Sequence, residues 1–168
     1  MDPEKLSIKS IAYNYGLYSA LLSIAGLIIL YALNLESHWI LSVVSTILTI
    51  LIYYYGINTY KKLNANVLSI KDGLKTGMGI ALIGGLISAV YVVIHYSYIQ
   101  TGFLEGKREE AIDAMMTKNP NLEGEALDMS MKIIDITSSE FFLGTMMIIG
   151  SLIFGLIISL IISAIIKN

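Results

Sequence analysis

The sequence predicts an all-α fold: a polytopic membrane protein with a four-transmembrane-helix bundle and a short helical hairpin outside the membrane between helices 3 and 4. Four stretches without Asp, Glu, Lys or Arg predict the helices; they are 26, 24, 29 and 26 residues long and cover 10–35, 37–60, 76–104 and 141–166. About 20 apolar residues cross the hydrocarbon core as a helix, so each stretch is long enough. Composition points the same way, because only 14% of residues are charged, against about 25% in soluble domains.

The chain is predicted to form one membrane domain over residues 1–168. The length leaves room for one bundle and one short piece outside it. The first apolar stretch exceeds the usual length of a signal-peptide core and follows a mixture of acids and lysines, so we expect it to be retained as a helix. The predicted segments are transmembrane helices near 11–34, 38–60, 74–100 and 140–166, and an extracytoplasmic helical segment near 104–137.

The lysines predict the orientation. Seven of the eleven basic residues lie before helix 1, between helices 2 and 3, or after helix 4. The other four lie in 102–140 beside nine acids, which gives that segment a net charge of −5. Because basic residues concentrate in cytoplasmic loops, both termini are expected in the cytoplasm and 102–140 outside it.

Small residues recur every fourth position on two of the predicted helices. Such rows let helix backbones approach closely in a bilayer, where hiding leucine gains little. We therefore expect helices 3 and 4 to pack tightly, within the molecule rather than on partners. The predicted packing residues are Gly73, Gly77, Ala81, Gly85 and Ala89 on helix 3, and Ser151, Gly155, Ser159 and Ser163 on helix 4.

Helix 2 carries a polar face, and helix 3 carries one histidine. The candidate polar face comprises Ser42, Ser45, Thr49 and Tyr53, with His95 added from helix 3. Such a face could line a hydrophilic passage or a headgroup slot, but hydroxyls that join helices are the favoured interpretation, since no charged residue accompanies them. An ionisable residue in a span is a functional hypothesis by default. His95 lacks a second ligand in the spans and the chain has no cysteine, so neither a metal site nor a cofactor is predicted.

The segment between helices 3 and 4 contains an amphipathic pattern. Apolar residues recur at spacings of 4, 3, 4 and 3, which places them on one face of a helix; they are Leu122, Ala126, Met129, Ile133 and Ile136. This stripe either covers the top of the bundle or docks another protein. Its acidic surroundings argue against adsorption to anionic lipid.

Capping patterns predict where three helices begin. Ser37 can cap helix 2. The runs Ser69 to Asp72 and Thr137 to Glu140 resemble capping boxes, in which a hydroxyl accepts from a first-turn amide and an acid reaches back. Glu140 is then explained by the positive end of a helix dipole rather than by catalysis.

Several runs resemble one bacterial family, the domain-of-unknown-function family 4199. They are Tyr15-Gly16; Tyr60-Lys61-Lys62-Leu63-Asn64 with Leu68-Ser69-Ile70, Gly73-Leu74-Lys75 and Gly77; and Gly155-Leu156-Ile157-Ile158-Ser159-Leu160-Ile161 with Ala164 and Lys167. The resemblance covers nearly the whole chain. It implies a small four-helix protein of the bacterial inner membrane with a variable outer segment, and it carries no activity or catalytic residue.

The leading functional hypothesis is a non-enzymatic accessory or scaffold subunit of a bacterial inner-membrane protein complex, acting through helix–helix and outer-hairpin contacts. The alternative is a small transporter or lipid-binding membrane protein that uses the polar face of helix 2. An intramembrane enzyme is the weakest hypothesis, since hydrolytic or transfer chemistry needs a positioned base, nucleophile or metal. The expected partners are the lipid bilayer and another membrane protein or a second copy, not nucleic acid.

Overall fold

The computed structural model describes residues 8–168, and over that range the chain is helical without a strand. The six α-helices of this range are α1 (Ile8–Ala32), α2 (Trp39–Leu63), α3 (Ile70–Ile94), α4 (Phe103–Lys118), α5 (Gly124–Thr137) and α6 (Glu140–Ile166). A five-residue π-helical turn, His95–Ile99, continues α3. The all-α class predicted from the sequence is confirmed.

Four of these helices are long and apolar enough to cross a membrane: α1, α2, α3 with its π-turn, and α6. They contain 25, 25, 30 and 27 residues. At about 1.5 Å per residue, even the shortest exceeds the hydrocarbon thickness of about 30 Å. The chain therefore has the helices of a multi-pass membrane protein.

Serine hydroxyls cap the first turns of α3 and α6. The cap of α3 is the residue that the sequence pattern predicts, whereas the cap of α6 is a different residue. The Ser69 hydroxyl accepts from the Asp72 amide at 3.1 Å and donates to the Asp72 carboxylate at 2.6 Å. At α6 the cap is Ser139, whose oxygen accepts from the Phe142 amide at 3.2 Å. The predicted cap Thr137 was wrong; its hydroxyl donates to a carbonyl in the last turn of α5, which is still helical at that point.

Two further boundaries differ from the sequence pattern. The residue before α2 is His38, which makes no side-chain capping bond, so the predicted cap Ser37 was wrong. Leu122 lies before α5, which begins at Gly124 with a φ of 61°. The left-handed conformation favours glycine, and the helix begins at this residue. The stripe on α5 is accordingly shorter than predicted.

The described residues form two compact units. The first contains residues up to Ser88 together with Met147–Asn168. Within it, a Cβ built on Gly79 would lie 2.8 Å from the Cβ of Ala12, and one on Gly16 would lie 2.8 Å from the Cβ of Ile83. Four residues further along α1, the contact has also moved four residues further along α3. The two helices therefore run in the same direction and approach each other closely. The core cluster of this unit comprises Tyr53, Ile57, Leu68, Ile80, Ala81 and Ile162.

The second unit, Ala89–Met146, holds the last turns of α3, the π-turn, α4, α5 and the start of α6. Its helices α4 and α5 are joined by a five-residue connection, 119–123. Asn119 precedes Pro120, and a residue before proline disfavours helical geometry. This explains why α4 ends at Lys118.

Candidate functional site

The rows of small residues on α3 and α6 face each other in the first unit. A Cβ added to a glycine of either row would collide with the residue opposite. Each four-residue step along α3 is matched by a four-residue step back along α6, so the helices are antiparallel. The opposed pairs are Gly73 with Ser163, Gly77 with Ser159, Ala81 with Gly155, and Gly85 with Ser151. We call these four pairs the α3–α6 seam.

The last residue of the α3 row, Ala89, belongs to the second unit and lies outside the α3–α6 seam. There its carbonyl oxygen lies 3.4 Å from the position that a Cβ on Gly144 would occupy. Together with the seam, this contact involves all nine small residues of the two rows.

Hydroxyls of the seam make one bond across it and others along α6. The Ser151 hydroxyl donates to the carbonyl of Ala81 at 3.1 Å. The Ser159 hydroxyl donates to the carbonyl of Gly155, in its own helix, at 2.5 Å. The fully buried Ser163 hydroxyl has no hydrogen-bond partner among the described residues. Close fit of small residues, more than hydrogen bonding, therefore holds this seam together.

Two hydroxyls of the polar face of α2 form hydrogen bonds within their own helix. The Ser42 hydroxyl donates to the carbonyl of His38 at 3.2 Å, and the Thr49 hydroxyl donates to that of Ser45 at 2.7 Å. Tyr53 is buried, and its ring meets that of Phe154 edge-on at 6.2 Å between centroids. Bonds of this kind satisfy a hydroxyl within its own helix. These contacts are typical of side chains that pack helices together.

A hydrogen bond joins α1 to α2, and it was not predicted from the sequence. The Tyr15 hydroxyl lies 2.9 Å from the Thr59 hydroxyl. Nearby, a Cβ on Gly56 would lie 2.6 Å from Cδ1 of Ile80 and 3.1 Å from the Tyr15 ring, so the glycine permits close packing at this place. A glycine inside the tyrosine-rich end of α2 was the available signal.

His95 opens the π-turn in the second unit and is fully buried. Its Nε2 lies 3.2 Å from the side-chain oxygen of Gln100, and its Nδ1 lies 3.4 Å from the Tyr91 hydroxyl. The Tyr96 ring contacts it edge-on, with 5.1 Å between centroids. The backbone amide of Gln100 donates to the His95 carbonyl at 2.8 Å, which closes the turn. The imidazole therefore helps to hold the widened turn.

Arg108, the only arginine, ties α4 to α5. Its Nε donates to the Asp135 carboxylate at 2.7 Å, and its Nη1 donates to the Glu105 carboxylate at 3.4 Å. The hydrogen bond with Asp135, followed by the negative charges of Asp135 and Glu105, raises the pKa of the Arg108 guanidinium above its usual value. These residues are up to 30 positions apart in sequence, and no local pattern signals their pairing.

A polar cleft of about 320 Å³ opens beside Arg108 in the second unit. Its lining residues are Tyr96, Ser97, Thr101, Leu104, Glu105, Arg108, Ser138 and Glu140. The Ser97 hydroxyl donates to the Glu140 carboxylate at 3.4 Å, so Glu140 has a partner besides the dipole of α6. Sequence reasoning missed this cleft because three separate segments build it. Within residues 8–168 no group of three or more His, Asp or Glu side chains is placed to hold a metal ion.

The apolar stripe of α5 is open to its surroundings. The exposed fractions of Met129, Ile133 and Ile136 are 59%, 55% and 61%; we call these three residues the α5 stripe. Ala126 is also exposed and Leu122 is half-buried. The neighbouring Met131 and Ile134 are half-buried instead, so the covered and open faces of α5 are distinct.

Comparison with known proteins gives one match. Neither the curated proteins nor the solved structures contain a match to this chain. The family model described as "Protein of unknown function (DUF4199)" matches residues 14–168. That match covers α2 to α6 entirely and all of α1 from Asn14 onward. The chain therefore belongs to the DUF4199 family.

Proposed function

We propose that this protein is a non-enzymatic accessory or scaffold subunit of a bacterial inner-membrane protein complex, and that the α5 stripe docks its partner. The observation that carries the proposal is the exposure of the stripe, more than half for each of Met129, Ile133 and Ile136. Contiguous apolar side chains on an exposed helix face mark interaction surfaces. Methionine suits such a face because its unbranched chain adapts to the partner.

The Arg108–Asp135 pair supports this role by orienting the stripe. The pair joins α4 to α5 at 2.7 Å. With α5 held in this way, Met131 and Ile134 are partly covered while Ile133 and Ile136 remain open. A preoriented face loses less freedom on docking, which favours binding.

The contacts inside the spans support a structural role for the helices. Ser42 and Thr49 bond their own helix, and His95 contacts Tyr91 and Gln100. These bonds do not favour the alternative of a transporter or lipid-binding protein that works through the polar face of α2. The proposal therefore assigns contacts with other proteins to α5 and close packing to the spans.

Site-specific photocrosslinking tests the docking face. Benzoylphenylalanine placed at Ile133 is expected to form an adduct with one protein in native membranes, whereas the same group at the exposed neighbour Lys132 is not. An adduct of twice the chain's mass identifies the partner as a second copy. Ile133→Asn should abolish co-purification of that partner, while the control Asp128→Asn keeps it. Crosslinks to lipid alone, or a partner equally retained by Ile133→Asn, would refute the docking role.

We further propose that both termini are cytoplasmic and that α4 and α5 lie outside the membrane as an extracytoplasmic hairpin. The lysine distribution supports this orientation. The chain has no cysteine, so single cysteines report position without background. Lys75→Cys should react with a membrane-impermeant maleimide only after the cells are opened, and Asp128→Cys in intact spheroplasts. The reverse pattern would overturn the orientation and leave the docking result unaffected.

A further inference from the structure

An apolar groove of about 500 Å³ runs between α1 and α2 in the first unit. Neither the proposed docking face nor the polar face of α2 accounts for it. Its lining residues are Tyr15, Tyr18 and Leu22 from α1, and Leu48, Leu51, Ile52 and Tyr55 from α2. Three tyrosines and four aliphatic side chains therefore line the groove.

The groove is short compared with the thickness of the hydrocarbon core. Tyr15 and Leu22 are seven residues apart, which is about 10 Å along a helix. Tyr15 lies in the first half of α1, which runs from Ile8 to Ala32, and Leu22 lies just past its middle. A hydrocarbon core of about 30 Å gives each leaflet about 15 Å. The groove is thus shorter than one leaflet is deep.

A lysine lies on the same face of α2 as the groove, two helical turns beyond Tyr55. Leu51, Tyr55, Asn58 and Lys62 recur at spacings of 4, 3 and 4, so they lie on one face of α2. Lys62 is exposed. Its neighbour Lys61 instead donates to the carbonyl of Ile166 at 2.7 Å, which commits that ammonium group to α6.

The same end of the unit carries further exposed lysines on other helices. These are Lys9 at the start of α1, Lys71 and Lys75 at the start of α3, and Lys167 after α6. One carboxylate, Asp72, accompanies them among the described residues of these turns. An anionic headgroup at this end would therefore meet a positive field.

We propose that the groove seats an acyl chain of an anionic phospholipid, with the Lys62 ammonium against its phosphate. The leucines meet the chain, and the tyrosines lie towards the end of the groove nearer Lys62. A second protein helix fits this surface poorly. Small residues favour close helix packing in a bilayer, and the lining is made of large side chains.

A photoreactive phosphatidylglycerol with a diazirine on its acyl chain tests the site in the purified full chain. Adducts mapped by mass spectrometry should concentrate on Leu48, Leu51 and Ile52. An even spread over α1, α2 and α6 would overturn the proposal, because it describes ordinary contact with bulk lipid. Binding of soluble glycerol phosphate as strong as that of the lipid would also overturn it, since the groove would then add nothing.

Matched variants separate the chain from the headgroup. Lys62→Gln should lower the preference for phosphatidylglycerol over phosphatidylcholine about fivefold in native mass spectrometry, the size expected of one lysine at an anionic surface. Lys75→Gln, exposed at the same end but on α3, should leave it unchanged. Equal losses in the two variants would refute a role for the groove's own lysine.

Filling the groove gives the second comparison. Leu51 and Leu156 are 42% and 41% exposed, but only Leu51 lines the groove. Leu51→Trp should reduce acyl-chain adducts at least fivefold, and Leu156→Trp should not. If Leu51→Trp fails to purify as a single species, Leu51→Phe tests the same point. Unchanged adducts in the filled groove would overturn the proposal.

Discussion

The α3–α6 seam predicts that one added methyl group on α6 is costly at Gly155 and harmless at Gly150. A Cβ on Gly155 would lie 2.5 Å from the Cβ of Ala81 and 2.9 Å from the Tyr53 hydroxyl. A Cβ on Gly150 would meet nothing within 4 Å. Gly155→Ala and Gly150→Ala therefore make the same chemical change in the same helix, with and without a neighbour.

The expected magnitudes follow from two effects. Replacing a helical glycine by alanine stabilises the helix by about 0.5–1 kcal/mol, and this applies at both sites. Overpacking a well-filled site costs about 1–3 kcal/mol, and this applies only at Gly155. Ala81 cannot swing its Cβ away and Tyr53 is buried, so relief requires the helices to separate. The two variants should differ by about 1–3 kcal/mol, since the helix effect cancels between them.

Unfolding by sodium dodecyl sulfate in mixed micelles, followed by circular dichroism, measures this difference in the free energy of unfolding. A third variant tests whether the collision with Ala81 causes the loss of stability. Ala81→Gly in the Gly155→Ala background removes the nearer colliding atom and should restore much of the lost stability, which a double-mutant cycle reports as coupling. Equal stability of Gly155→Ala and Gly150→Ala, or no coupling with Ala81, would refute the conclusion that the close fit of the seam stabilises the packing of α3 against α6.

Three other contacts predict measurable effects in the same unfolding assay. Tyr15→Phe and Thr59→Val should each cost about 0.6 kcal/mol, the usual value of a hydrogen bond between membrane helices, and should couple in a double-mutant cycle; full additivity would show that the 2.9 Å contact carries no energy. Lys61→Met removes the ammonium bound to the last carbonyl of α6 and should cost about 0.3–1 kcal/mol, whereas Lys62→Met should not. His95→Leu leaves the polar partners of a buried ring unsatisfied, at about 1–3 kcal/mol, and should speed amide hydrogen exchange in the π-turn; unchanged exchange there would contradict a role for the imidazole in holding that turn.

The sequence by itself was sufficient to predict the helical class and the four apolar spans. The reason is energetic: a charged side chain is costly in hydrocarbon, so uninterrupted stretches without charge locate the helices wherever the chain folds. Repeats of small residues at spacing four likewise predicted which faces permit close approach, because that spacing returns to the same side of a helix. The spacing alone was enough to predict Gly77 and Ser159 as packing residues.

Only the tertiary structure decided which faces meet and which stay open. A small-residue row has no intrinsic partner; the antiparallel register that sets Gly77 against Ser159 depends on both helices together. The Arg108–Asp135 pair spans 27 positions and forms only when α4 and α5 lie side by side, and it separates the covered and open faces of α5. The groove between α1 and α2 is likewise space left by two helices, which no single stretch of sequence encodes.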